Sequence, residues 1–277
     1  MSPSQPRGIV PDLIRDVVSV VEAAGRLVLE VARQDFHVEQ KGAAGPVTEA
    51  DRAADSYLRE NLPRLTPADW LSEETADSPS RLPSETVWIV DPLDGTREFT
   101  EGIPEYAIAV ALAKRGGPEL AVVHNPATRD LFWAARGLGA YRNGERIQVR
   151  EGGTVLASRS EVGQGEFADF ADAWQLRPMG SIALKLALVA AGEAAATLSR
   201  GPKHEWDVCA GALLVAEAGG LATDAFGEAL VYNQPFPKVK GILAGAPAAH
   251  ARALAQMQTL GASARMTAEF GPAGQRR

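Results

Sequence analysis

The run Thr86-Val87-Trp88-Ile89-Val90 breaks off directly into Asp91-Pro92-Leu93-Asp94-Gly95-Thr96. Five β-branched or apolar residues in succession are the pattern of a buried strand, and a core must close around them. Two carboxylates three residues apart at its end do not belong in that core without partners. The spacing therefore predicts a buried strand that stops at a functional loop.

The flanking sequence supplies the layers for such a strand. Apolar residues recur at helical spacing from Val10 through Val31, and a Gly-rich break over 42–46 precedes a second helix starting near Thr48. Ile108, Val110 and Leu112 alternate as in a strand, and further strands fall at 120–123 and 131–134, separated by Asn125-Pro126. Asn143-Gly144 marks a tight hairpin leading into Ile147 and Val149. Beyond Gly152-Gly153 the hairpins give way to alternation. Strands are expected at 155–157, 194–198 and 242–244, and helices at 182–190, 207–218 and 247–260. The expectation is an α/β chain with an α+β N-terminal half over 1–150, an α/β C-terminal half over 151–262 and a loose tail over 263–277.

Charge narrows the function. A net charge of -7 excludes binding of a nucleic-acid polymer by bulk charge, but not a small anion, because bound divalent cations reverse a local field. The single cysteine, Cys209, cannot form an internal disulfide and is expected in the core. No apolar run approaches the ~20 residues of a membrane span and no signal peptide is evident, so no membrane partner and a cytoplasmic location are expected.

Asp91, the Leu93 carbonyl and Asp94 are hard oxygen donors of the type Mg²⁺ prefers. Glu73-Glu74 upstream and Asp207, in His204-Glu-Trp-Asp207, add further carboxylates. Gathered in one cleft, each pair would repel by about 4 kcal/mol at ~4 Å with an effective dielectric near 20. A cation or raised pKa values must resolve that conflict. Taken singly, each residue has an ordinary role. Asp91 can end a strand, Asp94-Gly95 can turn, Asp207 can cap a helix, Glu73-Glu74 can be a solvated corner, and Thr48-Glu-Ala-Asp51 reads as a capping box. Their joint occurrence points to chemistry.

In combination, Pro46-Val-Thr48-Glu-Ala-Asp51, Leu71-Ser-Glu73-Glu74, Asp91-Pro-Leu-Asp94-Gly-Thr96, Gly137-Leu-Gly-Ala-Tyr-Arg-Asn143-Gly144, Gly180-Ser181 and Trp206-Asp207-Val-Cys-Ala-Gly211 followed by Glu217-Ala-Gly-Gly220 resemble the inositol monophosphatase-like, Mg²⁺-dependent and Li⁺-sensitive phosphatases over roughly residues 10 to 260. The resemblance implies a layered αβαβα sugar-phosphatase fold, and often a homodimer. It implies that Glu73, Asp91 and the Leu93 carbonyl hold one Mg²⁺ and that Asp91, Asp94 and Asp207 hold a second, with a third ion open. Thr96 and Asp51 would orient and deprotonate the attacking water, with Glu73 beside them. The Gly95 and Thr96 amides would cradle the phosphate together with Asp94 and Ser181. Two metals flanking an in-line displacement suit phosphate monoesters, whose uncatalysed hydrolysis is among the slowest known.

The substrate is read from a few residues. Lys185, in Gly180-Ser181-Ile-Ala-Leu-Lys185, and the phrase Asp94-Gly-Thr-Arg-Glu-Phe99 are similar to 3'(2'),5'-bisphosphate nucleotidases, while Arg200 replaces an inositol-contacting glutamate. Cations there would favour a second phosphate, so 3'-phosphoadenosine 5'-phosphate is the expected substrate. Inositol 1-phosphate and fructose 1,6-bisphosphate are the alternatives, and a metal-dependent phosphoester-binding protein without turnover is an alternative of another class. A haloacid-dehalogenase mechanism is disfavoured because its aspartates stand two apart, and neither a P-loop nor a dinucleotide fingerprint is present.

Overall fold

The computed structural model describes residues 11–40 and 46–259. The expected Gly-rich break, except Pro46, and the C-terminal tail lie outside the described residues.

In chain order the elements are α1 (Pro11–Val31), β1 (Val38–Gln40), β2 (Pro46–Thr48), α2 (Glu49–Leu65), β3 (Asp69–Ser72), β4 (Thr86–Asp94), α3 (Thr96–Thr100), β5 (Ala107–Lys114), β6 (Gly117–Asn125), β7 (Asp130–Ala135), β8 (Gly139–Arg142) and β9 (Glu145–Ile147). They continue as β10 (Thr154–Ser158), α4 (Arg159–Gly163), β11 (Gln175–Met179), α5 (Ile182–Ala190), β12 (Ala196–Ser199), β13 (Lys203–His204), α6 (Glu205–Glu217), β14 (Leu221–Thr223), β15 (Lys238–Val239), β16 (Ile242–Gly245) and α7 (Pro247–Thr259).

Period-2 alternation along the strands decides the layering. In the seven-stranded sheet β3-β4-β5-β6-β7-β8-β9, Trp88, Val90, Val110 and Val122 pack on α1 and α2. The intervening Val87, Ile89, Ala109 and Val123 pack on α5 and α6 from the opposite side. Those helices also cover one face of a five-stranded sheet, β11-β10-β12-β16-β14, through Leu156 and Ala244. The other face, with Val155, Ala157 and Leu243, packs on α7. Five layers result, helix, sheet, helix, sheet, helix, with the α5–α6 layer buried between two sheets. This explains why every residue of α5 is buried, Lys185 included. Gly211 permits the close approach within that layer, since a Cβ there would lie 2.4 Å from Leu186 Cβ.

Asn143 and Gly144 both take positive φ, 50° and 86°, at the expected hairpin between β8 and β9. Three local expectations change. The strand expected at 194–198 starts two residues later and runs Ala196–Ser199. The helix expected at 207–218 starts two residues earlier, at Glu205. Asp91 is not in a loop, because β4 runs on to Asp94, with its register against β5 shifting between Asp91 and Asp94. Pro92 has no N–H for the ladder, and the resulting irregularity turns the strand's end without ending it. Among the described residues, no helix is long and apolar enough to cross a membrane.

Candidate active site

The shifted end of β4 aims its polar groups at a cavity of about 630 Å³ between the two halves of the chain. Glu73, Asp91, Leu93, Asp94, Gly95 and Thr96 line it from the first half, and Ser181, Lys185 and Asp207 from the second. Glu73 follows directly on β3, which lies parallel to β4, so the parallel pairing brings both strand ends to one rim. Asp207 reaches the same rim from the first turn of α6, where its Oδ2 accepts the His204 N–H at 2.9 Å.

Asp91, Asp94 and Asp51, like Asp207, are held by neutral donors. Asp91 Oδ1 accepts the Leu93 N–H at 3.0 Å. Asp94 Oδ2 accepts the Ser181 hydroxyl at 2.7 Å and the Ala183 N–H at 2.6 Å, which ties β4 to the start of α5. Gly95 follows with φ 96°, where a Cβ would lie 2.8 Å from the Glu105 carbonyl oxygen, and Thr96 then opens the short helix α3. Thr96 Oγ1 donates to Asp51 Oδ1 at 2.8 Å, with the Leu93 carbonyl oxygen also 3.0 Å away. Asp51 Oδ2 accepts from the Thr48 N–H and hydroxyl, both at 2.7 Å. The capping box and the link to Thr96 are therefore one arrangement, because capping fixes Oδ2 and leaves Oδ1 for Thr96.

The electrostatics are those of a cluster short of positive charge. Burial, followed by Glu73, Asp94 and Asp207, pushes the Asp91 carboxyl well above its ordinary range. Burial and then Asp94 raise Asp207 to about 7. Asp94 is raised by burial against the opposing pull of Ser181, the Ala183 N–H, Lys185 and Lys203. Asp51 is likewise raised by burial despite its bonds to Thr48 and Thr96. A divalent cation would relieve this repulsion, and an all-oxygen set of carboxylates plus the Leu93 carbonyl has the right hardness. Among the described residues, however, no three Asp, Glu, His or Cys side chains stand close enough to clasp an ion by themselves. Mg²⁺ usually keeps several waters and needs only one or two carboxylates, so this donor set is compatible with it.

The second half treats the two substrate cations differently. Lys185 is buried. It is 3 % exposed, its Nζ donates to the Met179 and Gly180 carbonyls at 3.3 and 3.2 Å, and burial lowers it to about 8. It still faces the cavity. Arg200 does not. It is not among the residues that line the cavity, and its guanidinium donates to the Glu166 carbonyl.

The wall also contains cations that were not read from the sequence. Lys203 lies there, 3.0 Å from Glu161, and Arg159, from α4, pairs with Glu105 and stands 3.7 Å from Glu98. Lys203 precedes Asp207 by four residues, a proximity that hinted at its place. Arg159 had no such signal, because α4 approaches the cavity only through tertiary packing. His204 stacks on Trp206 with centroids 4.4 Å apart, and burial lowers it to about 4, so it is neutral at physiological pH. Cys209 is buried among apolar side chains.

Residues 12–262 match the model of the inositol monophosphatase family. The inositol-1-monophosphatase of Rhizobium meliloti is 38 % identical over 207 residues, which span 70 % of this chain and 77 % of that protein. The Escherichia coli protein named Nus factor SuhB is 32 % identical over 230 residues, 78 % of this chain and 86 % of its own. The crystal structure of the extragenic suppressor protein suhB from Bartonella henselae superposes with a TM-score of 0.79 at 31 % identity, covering 89 % of this chain and 98 % of that one. The match across nearly the whole described chain, the five-layer fold and the carboxylate-lined cavity agree, and the chain belongs to the inositol monophosphatase family of phosphoric monoester hydrolases.

Proposed function

We propose that this phosphatase uses Mg²⁺ to hydrolyse a small substrate bearing two phosphates, with 3'-phosphoadenosine 5'-phosphate as its representative. One observation carries the proposal: Arg97, Arg159, Lys185 and Lys203 line the same cavity as the carboxylates. The carboxylate end suits the scissile ester, and the cations offer charge for a second phosphate. Glu73, Asp91, the Leu93 carbonyl, Asp94 and Asp207 would hold two or three Mg²⁺ ions. Mg²⁺, when bound, supplies Lewis-acid neutralisation of the charge that develops on the phosphoryl and leaving oxygens.

The chain's own residues handle the proton. With its hydrogen given to Asp51 Oδ1, the nearer and charged one of its two acceptors, the Thr96 hydroxyl has lone pairs left to accept a hydrogen from a water in the cavity. Thr96 thus orients that water, and a proton passed through it reaches Asp51. The raised pKa of Asp51 suits it to receive one. The Gly95 and Thr96 amides lie at the start of α3, where N–H groups lack helical partners and are available to phosphate oxygens.

A second reading, inositol 1-phosphate, is favoured by the relative of that name. It is also favoured by the engagement of Arg159 with Glu105 and of Lys203 with Glu161, which weakens their pull on a second phosphate. Comparison of kcat/KM on 3'-phosphoadenosine 5'-phosphate, inositol 1-phosphate and fructose 1,6-bisphosphate with Mg²⁺ decides between them. Preference for the first supports the proposal, and preference for inositol 1-phosphate overturns it. Ligand binding without phosphate release under any divalent ion would overturn both.

A further inference from the structure

Arg81 is only 1 % exposed and does not line the cavity, yet it joins the two chain segments that deliver carboxylates to it. We propose that Arg81 is a positioning residue that, through Asn233, sets the separation of Glu73 from Asp207. The inference rests on reading those two carboxylates as holders of a divalent cation.

On one side, the Arg81 guanidinium forks onto Asp77, Nε to Oδ1 at 2.6 Å and Nη2 to Oδ2 at 2.8 Å. Asp77 lies on the loop that leaves Glu73, and Asp55 of α2 pins that loop nearer its start by accepting from Ser72 Oγ at 2.5 Å and Thr75 Oγ1 at 2.9 Å. On the other side, Arg81 Nη1 donates to Asn233 Oδ1 at 2.7 Å and Nη2 to the Gln234 carbonyl at 3.0 Å. Asn233 Nδ2 returns a bond to the Arg81 carbonyl at 3.1 Å. The backbone N–H groups of Asn233 and Gln234 are in turn accepted by the fully buried Glu205, at 2.6 and 2.9 Å. Glu205 stands two residues before Asp207 in the first turn of α6.

The path from Glu73 to Asp207 is therefore closed by hydrogen bonds between segments more than 150 residues apart in sequence. Two carboxylates that repel need such a restraint if they are to stand ready for an ion. A planar fork bonded on both edges fixes distance in a way a flexible ammonium does not. Groups hydrogen-bonded directly to metal-binding residues commonly alter metal affinity by 10- to 100-fold when removed, and Arg81 and Asn233, one contact further out, are expected at the low end of that range.

Asn233 offers a clean test because its φ is 61°, a conformation glycine adopts freely. Asn233→Gly keeps the backbone N–H that Glu205 accepts and deletes both side-chain bonds to Arg81. Calorimetric titration of Mn²⁺ into the metal-stripped full-length chain should give a dissociation constant about tenfold higher in Asn233→Gly than in wild type, with circular dichroism unchanged. Arg81→Lys, which keeps a cation but lacks the fork, should shift in the same direction, and kcat at saturating Mn²⁺ should stay near wild type. Unchanged Mn²⁺ affinity in the folded variants, with or without a lowered Tm, would overturn the proposal. Absence of Mn²⁺ uptake by wild type would instead overturn the reading of the carboxylates on which it rests.

Discussion

Asp207→Asn should make the metal-free protein more stable and the enzyme inactive. Asp207 is raised from 3.8 to about 7, burial being the larger cause and Asp94 the next. Below the unfolded value both states are protonated and nothing is lost. As pH rises towards 7 the unfolded chain ionises before the folded one does, so stability falls across that window, and above it the loss is complete. About three pKa units at 1.36 kcal/mol each give an upper bound of about 4 kcal/mol at pH 8. Asparagine removes the charge yet retains an oxygen to accept the His204 N–H. Urea denaturation at pH 5 and pH 8 in the presence of chelator should show wild type weakening with pH, and Asp207→Asn weakening less, with a gain at pH 8 of the order of 2–4 kcal/mol. Saturating Mg²⁺ should abolish or reverse that advantage, because the cation stabilises wild type alone. If the variant is no more stable than wild type at pH 8 without metal, burial and the neighbouring Asp94 do not raise the Asp207 carboxyl as argued.

Thr96→Val should cut kcat by about 10²- to 10⁴-fold with little change in KM, since it removes only the link from water to Asp51; a kcat within threefold of wild type would exclude that relay. Lys185→Gln should raise KM for 3'-phosphoadenosine 5'-phosphate and leave that for inositol 1-phosphate nearly unchanged, so equal effects on both would deny Lys185 a part in selecting the substrate. Mg²⁺ at 100 times its dissociation constant should stabilise the fold by about 2.7 kcal/mol per independent site, visible as a higher Tm. A flat titration would argue against ion binding in the folded state. Li⁺ should inhibit in competition with Mg²⁺, and full activity at high millimolar Li⁺ would count against the resemblance reaching that far.

Local pattern in the sequence determined the elements. Helical periodicity marked α1, the run from Thr86 to Val90 marked β4, and Asn143-Gly144 marked the β8–β9 hairpin, because side-chain burial and turn conformation depend on near neighbours. The motifs also named the carboxylates, since the residue types that bind hard cations are few. Tertiary structure alone decided which side chains share a cavity. The bulged end of β4, the burial of Lys185 between two sheets, the engagement of Arg200 with Glu166 away from the cavity lining and the arrival of Arg159 depend on strand register and layer packing. Those are contacts between residues far apart in the chain, and a one-residue change of phase sends a side chain to the opposite face.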